Sequence, residues 1–179
     1  VFHSISAFCN AGFDLFGVRS PFSSLTGHTG DPVVNLVVML LIITGGLGFL
    51  TWHDIKTHKW HLHAYRLQSK LILAATMVLL LLPGLFLFFY EFSQPQWANL
   101  SLQERIFAAA FQAVTPRTAG YNTVDLTQMS QPSQLLLVLL MLTGGAPGST
   151  AGGFKVTTLA VLLLTTSAVI RRKSSAQCF

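Results

Sequence analysis

The apolar positions of this chain gather into long runs separated by short polar stretches. Residues 32–52 and 70–90 are each about 20 mostly apolar residues, the length a helix needs to cross the hydrocarbon of a bilayer. Pro83-Gly84 interrupts the second run, which a membrane helix tolerates where neighbours satisfy the freed backbone groups. A third run, 133–170, holds no acid and a single base, Lys155. As one helix it would measure roughly 55 Å at 1.5 Å per residue, far more than a bilayer needs. Its centre reads Gly144-Gly145-Ala146-Pro147-Gly148-Ser149-Thr150-Ala151-Gly152-Gly153, which is poor helix. The pattern therefore predicts two half-helices joined by an unwound segment. Irregular backbone at membrane depth survives only inside protein or against a water-filled cavity.

Residues 106–114 are apolar but too short to cross. Ser101-Leu102-Gln103-Glu104 ahead of them is a capping-box pattern that starts a helix, and Pro116 stops it. A short capped helix ending in Thr115-Pro116-Arg117-Thr118-Ala119-Gly120-Tyr121 reads as re-entrant. Residues 1–8, followed by Cys9-Asn10-Ala11-Gly12-Phe13, read as the tail of a second such helix and its loop.

The two loops belong to an internal repeat. Asn10-Ala11-Gly12-Phe13, then Asp14-Leu15, answers to Thr118-Ala119-Gly120-Tyr121, then Asp125-Leu126. Further on, Leu41-Ile42-Ile43-Thr44-Gly45-Gly46 answers to Leu140-Met141-Leu142-Thr143-Gly144-Gly145. Each half runs short helix, small-residue loop, linker, then apolar helix with Thr-Gly-Gly, and residues 70–90 form the outer helix leading into the second unit. Both copies have one orientation, which makes the repeat parallel about an axis along the membrane normal.

Composition agrees with a membrane class. Of 179 residues, 51% are hydrophobic and 9% charged, with mean hydropathy +0.57, against roughly 25% charged in an average soluble domain. Disorder is excluded by the same figures, and Cys9 and Cys178 are too few for a disulfide scaffold or a four-cysteine zinc module. The net charge of +5 follows topology. Lys56, Lys59, Arg66 and Lys70 in the basic loop 53–70, and Arg171, Arg172 and Lys173 near the C-terminus, place both on the cytoplasmic side. Arg19, Arg105 and Arg117 face Asp14, Asp31, Glu91, Glu104 and Asp125 on the other. No nucleic-acid partner is needed to explain the charge. The chain opens in an apolar run without Met or a recognisable leader, so the expectation is a piece of something longer.

A re-entrant helix points the partial negative charge of its C-terminal end toward mid-membrane. The loop that follows exposes carbonyl oxygens able to replace a cation's hydration shell. Glycine suits such a loop because it permits positive φ and close approach. One glycine per loop implies a shorter or looser filter than a full potassium-channel signature. Other readings are weaker. Gly148 to Thr157 fails as a phosphate loop, since Lys155 follows Phe154 and no strand precedes it. His53, His58, His61 and His63 with Asp54 lack the spacing of a zinc site and read as interfacial histidines beside Trp52 and Trp60. Cys9 reads as a small apolar filler, and Arg117 either pairs with an acid such as Asp125 or tunes cation entry. No Ser/His/Asp or Cys/His set is grouped for catalysis, so an enzyme is not expected.

At this point a resemblance carries further. Ser4-Ile5-Ser6-Ala7-Phe8-Cys9-Asn10-Ala11-Gly12-Phe13-Asp14-Leu15 resembles the second pore loop of the Trk/Ktr/HKT potassium transporter superfamily, with the Ktr membrane subunit as the nearest fit. Val114-Thr115-Pro116-Arg117-Thr118-Ala119-Gly120-Tyr121-Asn122-Thr123 is similar to its third pore loop, and residues 144–155 to its glycine-rich gating loop. The fold class implied is an all-α integral membrane protein of repeated outer helix–re-entrant pore helix and loop–inner helix units, with the last inner helix broken by the glycine-rich loop. Residues 1–69 are then the end of a pore helix, pore loop, inner helix and cytoplasmic loop of one repeat. Residues 70–173 form the outer helix, pore loop and broken inner helix of the next, and 174–179 are a tail that no longer looks like the family.

The resemblance implies potassium uptake in the cell membrane. Filter carbonyls would come from Asn10, Ala11 and Gly12, and from Thr118, Ala119 and Gly120, with the potassium ion held there as substrate. Gly144, Gly145, Gly148, Ser149, Thr150, Gly152, Gly153 and Lys155 would form the gate beneath. It also implies a homodimer in the lipid bilayer with a cytoplasmic nucleotide-binding ring of regulatory subunits. No cofactor-binding motif lies in the chain, and sodium coupling stays open. Two alternatives stand beside this reading: a secondary transporter of an anionic solute that uses the broken-helix ends, and a non-functional fragment lacking the first and fourth filter segments.

Overall fold

A computed structural model describes residues 1–18, 23–59 and 61–171. Arg19, Trp60, Arg172, Lys173, Cys178 and the 174–179 tail lie outside the described residues. Seven α-helices follow one another among the described residues: α1 (Phe2–Phe8), α2 (Pro32–Gly46), α3 (Phe49–His58), α4 (Leu67–Phe86), α5 (Leu102–Val114), α6 (Gln131–Leu142) and α7 (Val156–Ile170). No strand forms among them; Thr143 and Phe154 make one isolated bridge.

Side-chain caps start two of the helices, α2 and α5. Asp31 caps α2, its carboxylate accepting from the Val33 and Val34 amides at 2.9 and 3.2 Å, with Pro32 as the first helical residue. Ser101 and Glu104 close the capping box of α5 in both directions, at 2.7 and 3.3 Å. In α4 the helix runs straight through the buried Pro83, and its continuation Leu87–Glu91 widens into a π turn. The π turn absorbs a residue out of α-register beyond the missing proline N–H. The resulting stretch Leu67–Glu91 has 25 residues and is, among the described residues, the one helix long and apolar enough to cross a membrane by itself.

Residues 32–52 do not form the single continuous helix that their hydrophobicity predicts. The helix ends at Gly46 and the chain turns by 98° into α3. Gly48 makes this turn, at φ +82°, where a Cβ would fall 2.6 Å from the Pro147 carbonyl oxygen. The break expected only in the last apolar run therefore occurs in both, just after Thr44-Gly45-Gly46 in the first and from Thr143 in the second. The segment 53–58, expected as loop, is the second half of α3. Buried Asp54 on that helix accepts from Ser69 Oγ at 2.6 Å and the Arg66 amide at 3.2 Å, so it ties α3 to the start of α4 and fixes the corner between the two helices.

Helix α5 sits at the centre. On one side Phe111 and Val114 pack with Ala7 of α1, Val38, Met39 and Ile42 of α2, and Ala119 and Tyr121 of the following loop. On the other, Ala108 and Ala109 meet Leu87, Phe92 and Trp97, and Leu137 and Leu140 of α6. Helix α7 returns to pack on α4. Glu91, entered in the sequence reading as an outer-side charge, is fully buried. Its carboxylate accepts from Trp97 Nε1 and Gln96 Nε2 at 2.9 Å and from the Ser130 amide at 3.2 Å, tying the end of α4 to the start of α6. The outward faces carry exposed Val33, Leu36 and Leu40 on α2, Leu81, Leu82 and Leu85 on α4, and Leu135, Leu139 and Leu142 on α6. Contiguous apolar surface of this extent is suited to lipid or to other protein, not to water.

Candidate functional site

The two loops after α1 and α5 meet. Gly12 lies so close to the second loop that a Cβ on it would be 2.4 Å from the Ala119 carbonyl oxygen, and one on Gly120 would be 3.6 Å from Gly12 Cα. Both loops adopt left-handed backbone at the same two register positions: Asn10 and Gly12 at φ +51° and +71°, Thr118 and Gly120 at +74° and +82°. For a β-branched residue such as Thr118 this region is strained, and strain of this kind gathers at functional sites.

Backbone hydrogen bonds orient the loops. The Ala11 amide donates to Ser6 O at 2.9 Å, and the Ala119 and Gly120 amides donate to Thr115 O at 3.1 and 3.2 Å. In a planar trans peptide the carbonyl points opposite to its N–H. The carbonyls of Asn10, Thr118 and Ala119 are therefore turned away from their own helix ends. None of the carbonyl oxygens of Asn10, Ala11, Gly12, Thr118, Ala119 and Gly120 accepts a hydrogen bond among the described residues. The arrangement is braced by Ser6 Oγ and Tyr121 Oη, both donating to Phe13 O at 2.9 Å.

Residues 143–155 form a loop pinched at its base, where the Gly144 amide donates to Phe154 O at 2.8 Å. Its arms are closely apposed: a Cβ at Gly144 would lie 1.9 Å from Gly152 O, and one at Gly145 2.5 Å from Ala151 Cβ. Gly148 and Gly153 take positive φ, and Ser149 Oγ closes on Ala146 O at 2.6 Å. Lys155 stands at the N-cap of α7 and donates to Ala151 O at 2.8 Å. The loop docks on the first Thr-Gly-Gly turn: the Ala146 amide donates to Gly46 O, the Thr150 amide to Gly45 O, and the Phe49 amide to Gly148 O, at 2.9, 3.2 and 3.1 Å. It reaches the loops after α1 and α5, through Thr150 and Asn10 at 3.0 Å and through Gly153 beside the Thr118 methyl.

Two side chains stand elsewhere than expected. Arg117 is buried and pairs with no acid; the ion pair among the described residues is Arg66–Asp54 at 3.7 Å. Arg117 instead faces a cavity of about 10 Å³ lined by Asn10, Ile42, Ile43, Gly46, Val114 and Gly145. Those residues include the last turns of α2 and α5, and the buried Arg117 Nε has no hydrogen-bond partner among the described residues. Asp125 is exposed and engages Thr127 and Gln128, and these hydrogen bonds hold its carboxyl below the usual aspartate range. Cys9 is exposed rather than a buried filler. The Asn10 side chain, read only for its backbone, is itself a junction. Its signal in the sequence was the first Thr-Gly-Gly, which marked a second break where only a helix was drawn.

Comparison with known proteins bears on this geometry. A family described as Cation transport protein (TrkH) matches residues 1–177. The chain belongs to this family. It is 40% identical over 132 residues to the Ktr system potassium uptake protein B of Bacillus subtilis, covering 73% of this chain and 28% of that protein. Potassium/sodium uptake protein NtpJ of Enterococcus hirae is 42% identical over 137 residues, covering 76% and 29%. The crystal structure of the potassium transporter TrkH from Vibrio parahaemolyticus superposes with a TM-score of 0.70 at 23% identity, over 95% of this chain and 35% of that one. The all-helical TrkH fold follows from that likeness, and these relatives carry the names of transporters, not of enzymes. The chain spans less than a third of the length of the curated relatives it matches.

Proposed function

We propose that this chain contributes to potassium uptake across the cell membrane, as a segment of a Trk/Ktr-type transporter. The reading rests on one observation above others: two touching loops that present six carbonyl oxygens free of internal partners, with loop amides turned back onto the preceding helices. Such oxygens suit a cation that sheds its water. In this reading the substrate potassium ion is held by the carbonyls of Asn10, Ala11, Gly12, Thr118, Ala119 and Gly120. Residues 144–155 obstruct the path beneath them. Inward flux follows the membrane potential, about 2.3 kcal/mol per charge for each 100 mV.

The matched positions of Asn10 and Thr118, of Gly12 and Gly120, and of the two Thr-Gly-Gly breaks support a parallel repeat with one unit in 1–69 and the next in 70–173. Relatives named for a Ktr system support a membrane subunit that works with other components, which we take to be a second copy and a cytoplasmic nucleotide-binding ring. The basic stretch 53–70 and the C-terminus lie on the cytoplasmic side. Sodium coupling is an open part of the proposal, given a relative named for both cations.

Rubidium tracer uptake into proteoliposomes tests the reading. Uptake by the complete gene product, with loss or altered selectivity in Gly120→Ser, is the expected result. A well-folded preparation that carries an anionic solute and no potassium or rubidium would overturn it.

A further inference from the structure

We infer that the Thr150 hydroxyl and the Asn10 side chain form a latch that holds the glycine-rich segment against the first pore loop, and that release of this contact opens the path. The inference rests on the filter-and-gate reading above and assigns a regulatory pair within it. Thr150 Oγ1 accepts from the Asn10 amide group at 3.0 Å and donates onward to Phe8 O, the last carbonyl of α1, at 2.8 Å. The same residue's backbone amide binds Gly45 O at 3.2 Å. Three elements therefore converge on one threonine: the end of α1 with its loop, the last turn of α2, and the segment itself.

The chemistry of the junction is specific. A hydroxyl accepts and donates at once, which neither valine nor alanine does. Glycine at 45 is what lets the parts meet, since a Cβ there would stand 1.9 Å from Phe8 O, 2.8 Å from Thr150 Oγ1 and 3.0 Å from Asn10 Nδ2. The segment's other bonds to α2 and α3, from Ala146 to Gly46 and from Phe49 to Gly148, are between backbones. Thr150–Asn10 is a side-chain contact, so it can exchange without unfolding a helix. Toward the second loop, Gly153 stands beside the Thr118 methyl, and no hydrogen bond joins the segment to residues 118–120 among the described residues. Backbone anchors to α2 and α3, a narrow neck at Thr143 and Phe154 and a side-chain hydrogen bond to the first loop describe a flap whose exchangeable catch is Thr150–Asn10. Because Asn10 also holds left-handed backbone within the first loop, releasing the catch reaches the carbonyl array directly.

Two measurements on the complete gene product separate this from the pore reading. The first is hydrogen–deuterium exchange of residues 144–155 in wild type, Thr150→Val, Asn10→Ala and the double variant. Each single variant is expected to speed exchange of the segment about tenfold, the double no more than either alone, with Thr150→Ser close to wild-type exchange. The second is rubidium uptake by the same set, where both single variants are expected to raise flux about tenfold. Unchanged exchange in Thr150→Val and Asn10→Ala overturns the latch. Faster exchange with unchanged flux overturns its control of the path. Faster, non-additive exchange with no uptake even by wild type upholds the contact and tells against the pore reading alone.

Discussion

Gly12 and Gly120 both take left-handed φ in the loops after α1 and α5, yet their surroundings make them different probes. A methyl at Gly12 meets the Ala119 carbonyl oxygen at 2.4 Å on top of its left-handed φ, so Gly12→Ala must move one loop off the other. Gly120 has only Gly12 Cα at 3.6 Å, so Gly120→Ser carries the conformational penalty without the clash. We expect Gly120→Ser to cost about 1 kcal/mol and Gly12→Ala about 3 kcal/mol or more. Thermal unfolding in detergent checks the order, and equal losses would mean that the loops do not touch as described. Arg117 illustrates the same point from charge. It is buried with no carboxylate beside it among the described residues and faces a small cavity lined from the ends of α2 and α5.

Among elements, the joint between α4 and α6 is the most dependent on one side chain. The Glu91 carboxylate gathers hydrogen bonds from Gln96, Trp97 and Ser130 in a buried site, and the π turn Leu87–Glu91 aims it there. Glu91→Ala leaves those donors unsatisfied and is expected to lower stability by about 3 kcal/mol, with Glu91→Gln losing roughly half as much. Detergent unfolding curves for the two variants test this; an alanine variant as stable as wild type would show that the joint is held by apolar packing alone. Helix ends elsewhere follow sequence signals closely. Asp31-Pro32 and the Ser101–Glu104 box are short-range devices, and the box works as its spacing predicts.

For the whole molecule, the exposed apolar faces of α2, α4, α6 and α7 and the placement of basic residues make one topological prediction. With Cys9 and Cys178 replaced by alanine, single cysteines at His63 and at Gln128, both exposed, should respond oppositely to an impermeant maleimide applied to intact cells. Labelling at 128 and not at 63 is expected from the positive-inside rule. Labelling at 63 alone would invert the orientation on which uptake depends.

The sequence by itself determined the family, the capped start of α5, the short helices that end at residues 8 and 114, and the unwound stretch 143–155. These depend on run length, capping residues and glycine content, which act within a few neighbours. The same information misled at residues 32–52, where hydrophobicity alone argued for one continuous helix. There the tertiary structure decided, because Gly45 and Gly46 accept hydrogen bonds from, and Phe49 donates one to, a segment about 100 residues further along, and Gly48 turns the chain against Pro147. Asn10 and Thr150 meet across 140 positions, and Asn122 reaches Ser24 across 98. Contacts of that kind have no period and no local signature. They exist only once the two halves have packed around α5, which is why the junction between loop and flap could not be found before the fold.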